Sequence, residues 1–428
     1  MSILSINNLD YKKKSHIIFI YSIYILITLI LCLIYSNLNL SKFPNIISDN
    51  NKVNYLAFQF DHSLLFKSIF ESNQFFQEVD GIKYYVAKLP IFPLLITFFL
   101  KIYDNYYFLF LGKCFLTFSF FFTIIYLYVY NNRKPFGLFV LLLISTIIIP
   151  YNLHVYFNIY FADCITSVLF SCLFLHMLSE KDKNFYLISS LIFILYLTKS
   201  SMFFISIFLP IFLILSEKKI HRFIPSISLI LAILLWGIYG MNKSNFFPFL
   251  KSASSHGSKQ FSIVLNKDFS KLYPTISVDL IKIKKLPKEV KNEKEAFDFY
   301  DNLNKVYLST NYSDYLKDRF LILKFIFFEI KSDGHKNKEE AEIRFSNIIN
   351  RLILIISIII LLHNIVKNKF NYKMIEKNDL LMILFLGSAM LPLLAGWATH
   401  KHLVGIFQMS FFYLIINFYG KFLQLLKL

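Results

Sequence analysis

The stretch Phe185–Tyr239 reads FYLISSLIFILYLTKSSMFFISIFLPIFLILSEKKIHRFIPSISLILAILLWGIY. Three apolar runs, Phe185–Leu197, Phe203–Leu215 and Phe223–Tyr239, are parted by two short polar steps. The first step is Thr198-Lys199-Ser200 and the second is Glu217-Lys218-Lys219-Ile220-His221-Arg222. This alternation reads as helices passing back and forth through lipid. About 20 residues, each rising roughly 1.5 Å, cross a hydrocarbon layer of about 30 Å. Lys and Arg gather on the cytoplasmic side of such segments. The 217–222 cluster is therefore expected inside, and Lys199 outside.

The same pattern continues in both directions. The chain has 428 residues, 56% of them hydrophobic and 18% aromatic, and a mean hydropathy of +0.54. Soluble domains sit nearer 45–50% apolar, and here the apolar residues come in blocks of span length with few charges, so a membrane domain is expected. Further apolar runs lie at Ile17–Tyr35, Pro90–Tyr103, Tyr106–Tyr130, Phe136–Pro150, Cys164–Leu178, Leu352–Val366, Leu380–Ala395 and Leu403–Phe418. The expected fold is an all-α polytopic membrane protein. It has roughly ten to twelve transmembrane helices with outer-face loop helices, in a single domain over residues 1–428. Lys12–Lys14 and the C-terminal lysines, Lys421 and Lys427, place both termini in the cytoplasm. Asn131-Asn132-Arg133-Lys134 also belongs inside, which two full crossings between residues 90 and 130 would prevent. One of those two pieces is short or lies at the interface.

The net charge of +18 arises from 45 Lys and Arg against 27 Asp and Glu. These cations sit at segment ends, where they set topology, so nucleic acid is not an expected partner. The four cysteines, Cys32, Cys114, Cys164 and Cys172, fall in apolar runs without CxxC or Cys/His spacing. They suggest neither a metal site nor a disulfide framework. No internal repeat is visible, which weighs against an inverted-repeat transporter.

Two polar stretches are expected outside: residues 36–89, a first catalytic loop, and residues 242–347, a long loop suited to acceptor binding. In the second, residues 284–305 read as a soluble helix. Phe320–Ile330 reads as a short interfacial helix. In the first, Ser48–Leu94 is too polar for lipid and too aromatic for a plain solvated loop. It carries Asp49, Asp61, Glu71 and Asp80, the pair Tyr84-Tyr85, and a proline step at Pro90 and Pro93. The sketch brings Asp61, Asp163, Lys199 and His400-Lys401-His402 to one face. Ionisable residues at a membrane are costly and mark function by default. A carboxylate in reach can take a proton from an attacking hydroxyl, and Lys can neutralise a leaving phosphate as a point charge. Each has a plainer alternative. Asp61 and Asp163 fit helix caps, and Lys199 and the His400–His402 trio fit snorkelling interface residues. His400 and His402 lack an evident third ligand for a metal.

These features in this order resemble the C-type polytopic glycosyltransferases that use a polyprenyl-phosphate sugar. The chain is most similar there to bacterial relatives of the dolichyl-phosphate-mannose protein mannosyltransferases and of the aminoarabinose lipid A transferase. The residues carrying the resemblance are Asp61, the segment HSLLFKSIFESNQFF after it, Lys83-Tyr84-Tyr85, and Leu89-Pro90-Ile91-Phe92-Pro93. Tyr160-Phe161-Ala162-Asp163 stands where the family has a Ser/Glu pair, Leu197-Thr198-Lys199-Ser200 where it has Thr-Arg-Pro, and His400-Lys401-His402-Leu403 where it has Arg-Tyr. Lys199 in place of Arg removes a bidentate fork. The resemblance covers residues 15–240 well and 350–420 loosely, and residues 242–347 match nothing.

The resemblance implies a polyprenyl-phosphate sugar donor and a lipid, glycan or protein acceptor. The site would lie at the outer face of the inner (plasma) membrane. Asp61 would serve as general base with Asp163 beside it, and Lys199, His400, Lys401 and His402 would bind the donor phosphate. Asp49, Asp80, Tyr84, Tyr85 and Pro90 would shape the substrate loop. Some members of the superfamily use a divalent cation and others none, so that is the one cofactor the resemblance admits. A flippase of lipid-linked sugars, another transporter, and a surface-glycan polymerase or ligase are the alternatives.

Overall fold

The computed structural model describes residues 22, 26, 30, 65, 68–69, 72–79, 81–94, 161–178, 183–248, 255–273, 284–329, 340–368, 375–396, 398 and 400–425. These are mostly helical. The helices are α1 (Phe161–Leu178), α2 (Phe185–Thr198), α3 (Phe203–Ser216), α4 (Ile224–Ser244), α5 (Ser255–Leu265), α6 (Phe269–Leu272), α7 (Glu293–Phe328), α8 (Glu340–Lys367), α9 (Lys377–Ala395) and α10 (His400–Leu425). Among the described residues, three helical stretches are long and apolar enough to cross a membrane: Ile220–Ser244, Asn347–Lys367 and Lys377–Ala395. Shorter apolar helices lie at Ile165–Leu178, Phe185–Thr198, Ser200–Ser216 and His402–Asn417. The chain is thus a helical protein of membrane type. The expected runs between Pro90 and Pro150 lie outside the described residues, apart from the helical turn opened by Pro90.

The start signals are local. Asn184 caps α2, its side-chain oxygen accepting from the amides of Tyr186 and Leu187 at 3.1 Å. Pro225 stands in the first turn of α4, where its missing N–H costs no helical bond. Pro210 in α3 and Pro392 in α9 fall inside helices, as packed membrane helices tolerate. One core joins the helices. Ile188, Ile192 and Leu195 of α2, Leu173 and Phe174 of α1, Phe385 of α9 and Phe412 of α10 are fully buried. Phe385 meets the rings of Phe170 and Phe174 at 5.2 and 5.1 Å. Lipid tails are as apolar as these side chains, so dispersion and close fit hold the helices together rather than exclusion of water. The exposed faces are apolar too, with Ile227, Ile230, Leu234 and Ile238 on α4, and Leu352, Ile359 and Val366 on α8.

Two departures from the sequence reading stand out. The first loop contains a two-stranded antiparallel hairpin, β1 (Gln77–Val79) and β2 (Ile82–Tyr84), so the described chain is not entirely helical. Val79 pairs with Ile82 across a two-residue turn in which Gly81 has φ +77°. Such a turn requires positive φ, and glycine reaches it without penalty. Phe320–Ile330 is also not a separate interfacial helix. Through Phe328 it continues the 36-residue α7, which starts at Glu293 rather than at residue 284. Asn311 kinks α7 (φ −116°, ψ 20°) and turns its side-chain amide to the last carbonyl of α5, Leu265, at 3.2 Å.

The helices alternate in direction, which gives the bundle two ends. At one end Lys183 pairs with Glu217, joining the entry to α2 with the exit of α3. His176, in the last turn of α1, accepts from the Asn184 amide at 3.1 Å through Nε2. At the same end Asp379, in the first turn of α9, accepts from Tyr413 of α10 and, at 3.2 Å, from Asn364 of α8. The opposite end carries Lys199, the start of α10 and the α9–α10 connection.

Candidate functional site

A cavity opens at that second end. It is lined by Thr166, Ser167 and Phe170 of α1, Lys199, Ser201 and Met202 of the α2–α3 connection, Ala389 and Leu393 of α9, and His402, Gly405 and Ile406 of α10. Its empty space, counting the open mouth, is about 380 Å³. Lys199 and His402, far apart in sequence, are thereby brought to one hollow. Its lining combines apolar side chains with two basic ones and three hydroxyls, a combination suited to an anionic head on an apolar body.

Local structure explains the placement. Lys199 ends α2 in extended geometry (φ −149°, ψ 133°), and its N–H donates to the Leu195 carbonyl at 3.2 Å. A single 3-10 turn, Ser200–Met202, then reverses the chain into α3, with Met202 N donating to Lys199 O at 3.1 Å. That reversal sets Lys199, Ser201 and Met202 together on the cavity wall. The Ser201 hydroxyl is buried and has no hydrogen-bond partner among the described residues, so it is available to a ligand. Gly405 keeps the wall of α10 thin. A Cβ there would meet Ser167 Oγ at 3.4 Å and a Phe170 ring carbon at 3.5 Å. Deeper between the same helices, Ser171 donates to Gln408 at 2.9 Å and fixes α1 against α10.

The α9–α10 connection is held by Tyr273 and by α7. Arg319 of α7 donates to the carbonyls of Leu394 and Gly396, the latter at 2.9 Å. Tyr315 donates to Ala395 O at 3.2 Å and Tyr273 donates to Ala398 O at 2.6 Å. The Arg319 guanidinium lies 4.2 Å from the centre of the Tyr315 ring. A cation over the last carbonyls of α9 also complements the negative end of its dipole. Arg351 of α8 makes a similar cap on α7, its Nη2 donating to Phe325 O at 3.1 Å beside the Phe407 ring.

The first loop reaches the same end. Ser228 of α4 donates to Ser189 O of α2 at 2.9 Å, which aligns these two parallel helices. From there Lys199 lies ten residues along α2, ~15 Å, and Ser244 sixteen residues along α4, ~24 Å, at a rise of roughly 1.5 Å per residue. Ser244 thus stands beyond the level of Lys199, and it donates to Glu293 at 2.6 Å. The same carboxylate accepts from Tyr85 N at 2.7 Å and Val86 N at 3.3 Å. Glu293 therefore locks the hairpin of the first loop to the ends of α4 and α7. Tyr239 adds a bond to Phe75 O at 2.9 Å, and its ring stacks on Trp236 at 5.2 Å.

The sequence-derived site residues fare as follows. Lys199 and His402 meet at the cavity. Asp163 is in the first turn of α1, one turn before the cavity residues Thr166 and Ser167; its side chain is outside the description, as are those of His400 and Lys401 in the first turn of α10. Tyr84 ends β2, the Tyr85 amide binds Glu293, and Pro90 O accepts from Leu94 N at 3.0 Å to open a helical turn. Asp49, Asp61 and Asp80 lie outside the described residues. Among the described residues no group of three or more His, Cys, Asp or Glu is placed to hold a metal ion. Sequence reasoning missed Thr166, Ser167, Ser201, Gly405, Glu293 and Arg319. For the first two a signal existed, since Asp163, Thr166 and Ser167 follow i, i+3, i+4 spacing in a mostly apolar helix.

Against this geometry, the chain matches no protein-family model, no curated protein and no solved structure.

Proposed function

We propose that the chain is a glycosyltransferase of the inner (plasma) membrane, taking a sugar from a polyprenyl-phosphate donor and passing it to a lipid, glycan or protein acceptor at the outer face. Both termini are then cytoplasmic. The observation that supports this most is the meeting of Lys199 and His402 on one cavity with the Thr166, Ser167 and Ser201 hydroxyls. The donor phosphate would sit between the two basic side chains and accept from the hydroxyls, with its isoprenoid tail running along the apolar faces of α1 and α9. Asp61 takes the proton of the acceptor hydroxyl. The hydroxyl oxygen bonds to the anomeric carbon, the bond from that carbon to the phosphate oxygen breaks, and the electron pair departs with the phosphate. Attack opposite the leaving group inverts configuration. Lys199 and His402 stabilise the charge that grows on the departing phosphate, a contribution largest where water is excluded.

The test uses purified protein in vesicles with labelled polyprenyl-phosphate sugars, comparing the wild type with Asp61→Asn and Asp163→Asn. Covalent transfer by the wild type, lost in Asp61→Asn, supports the reading. Unchanged turnover in Asp61→Asn removes the general base. Sugar carried across the vesicle without covalent transfer replaces the enzyme with a flippase.

A further inference from the structure

The proposed function leaves residues 242–347 without a task beyond acceptor binding, yet three side chains from this region converge on the end of α9 and the four-residue connection to α10. Arg319 holds the carbonyls of Leu394 and Gly396, Tyr315 holds Ala395, and Tyr273 holds Ala398. That connection carries the chain from Leu393 to His402, both of which line the cavity. We infer that Arg319 is a positioning residue for the cavity: through the α9–α10 connection it sets where His402 stands relative to Lys199.

The reasoning is geometric. α9 ends at Ala395 and α10 begins at His400, so few residues separate the two helices. Carbonyls at the end of a helix lack partners within it. Nη1 of Arg319 donates to both carbonyls, Leu394 and Gly396, while Nε donates to Tyr315 O at 3.1 Å and fixes the plane of the guanidinium, an anchor that an ammonium lacks. Tyr315 stacks under the guanidinium and packs edge-on against Phe261 of α5 at 6.3 Å. α5 in turn is tied to α7 through Ser262 and Asn304 at 2.6 Å and through Asn304 and Ser258 O at 2.9 Å. The guanidinium is thus mounted on α7, which is tied to α5. A shift of that pair moves the start of α10, and His402 with it. Arg319 touches no cavity atom; it acts through the backbone.

This inference rests on the reading that the cavity binds a phosphate, and its test separates the two. Binding of farnesyl phosphate is measured in detergent for the wild type, Arg319→Ala, His402→Ala and the double variant. If Arg319 acts through His402, each single variant weakens binding about tenfold and the double is no worse than the weaker single, because coupled residues are not additive. An additive loss of about a hundredfold overturns the positioning role while leaving the phosphate site intact. No binding by the wild type overturns the phosphate reading instead. Hydrogen exchange then decides the positioning role without any ligand. Arg319→Ala should speed exchange of amides 396–405 and leave 185–198 at the wild-type rate. Exchange unchanged at 396–405 overturns the inference. Should the alanine variant fail to fold, Arg319→Lys keeps the charge at the helix end but loses the Nε bond to Tyr315 O that fixes the contact to both carbonyls. It should show the same local rise, and wild-type exchange in that variant counts against the role.

Discussion

Replacing Glu293 is the sharpest test of how the first loop is mounted on the bundle. Its carboxylate is 2% exposed and receives three donors: Tyr85 N, Val86 N and Ser244 Oγ. Glu293→Ala leaves all three without that acceptor. A buried donor left unpaired costs about 1–3 kcal/mol, so a rigid site would lose roughly 3–9 kcal/mol. Tyr85 is only partly buried and water can serve its amide, which brings the expected loss to about 3–5 kcal/mol. Glu293→Gln keeps the shape and one carbonyl acceptor and loses only the charge assistance, so about 1–2 kcal/mol is expected. The assay is hydrogen exchange of the Tyr85 and Val86 amides in detergent, read beside the thermal midpoint. Alanine should open both amides and release the hairpin while α2 and α9 stay protected. Glutamine should fall between alanine and the wild type. Wild-type protection at both amides in the alanine variant would refute the lock.

Other outcomes follow from single contacts. Burial raises the Asp318 carboxyl to about 6, against a lowering pull from Arg319. Its folded value then exceeds its unfolded one, so the ionised form costs stability above about pH 6 and that cost fades as pH falls through 6 toward 4. Asp318→Asn should raise the thermal midpoint at pH 7.5 and flatten its profile between pH 4 and 7; a profile as steep as the wild type would contradict this. Gly405→Ala should bind prenyl phosphate as the wild type does, since its Cβ meets ordinary contact distances. Gly405→Leu should fill the cavity and weaken binding at least tenfold, as titration would show. Tyr413→Phe removes the hydroxyl that donates to buried Asp379 and should cost about 1–3 kcal/mol in unfolding experiments, with cavity binding unchanged.

Helix positions were the legible part of the sequence. Runs such as Phe185–Leu197 and Leu380–Ala395 return as α2 and α9 within a few residues, because length and apolarity leave lipid-exposed backbone no alternative to a helix. The hairpin was visible only as Asp80-Gly81 between Glu78-Val79 and Ile82-Lys83, a short-range turn signal outweighed by the aromatic character of the loop. Phe320–Ile330 differs from a separate helix because an apolar run after a polar one need not begin a new element. Helical hydrogen bonding continues through such a change, and the break falls earlier, at Asn311. At the site, Lys199 and His402 could be named from their place beside membrane runs. That they share a cavity depends on how α2 and α10 pack. Glu293 and Arg319 gave no signal at all. Each looks like one more charge in a mixed-charge helix, and only its partners, distant backbone groups, reveal the task.

Photo-crosslinking tests the central claim most directly. A prenyl phosphate bearing a diazirine on its first isoprene unit is bound, irradiated and located by peptide mapping. The account predicts label on Thr166–Phe170, Ala389–Leu393 and Gly405–Ile406, suppressed by excess unlabelled prenyl phosphate and by Lys199→Ala. Label confined to the outward faces of α4 and α8, unaffected by Lys199→Ala, would contradict it.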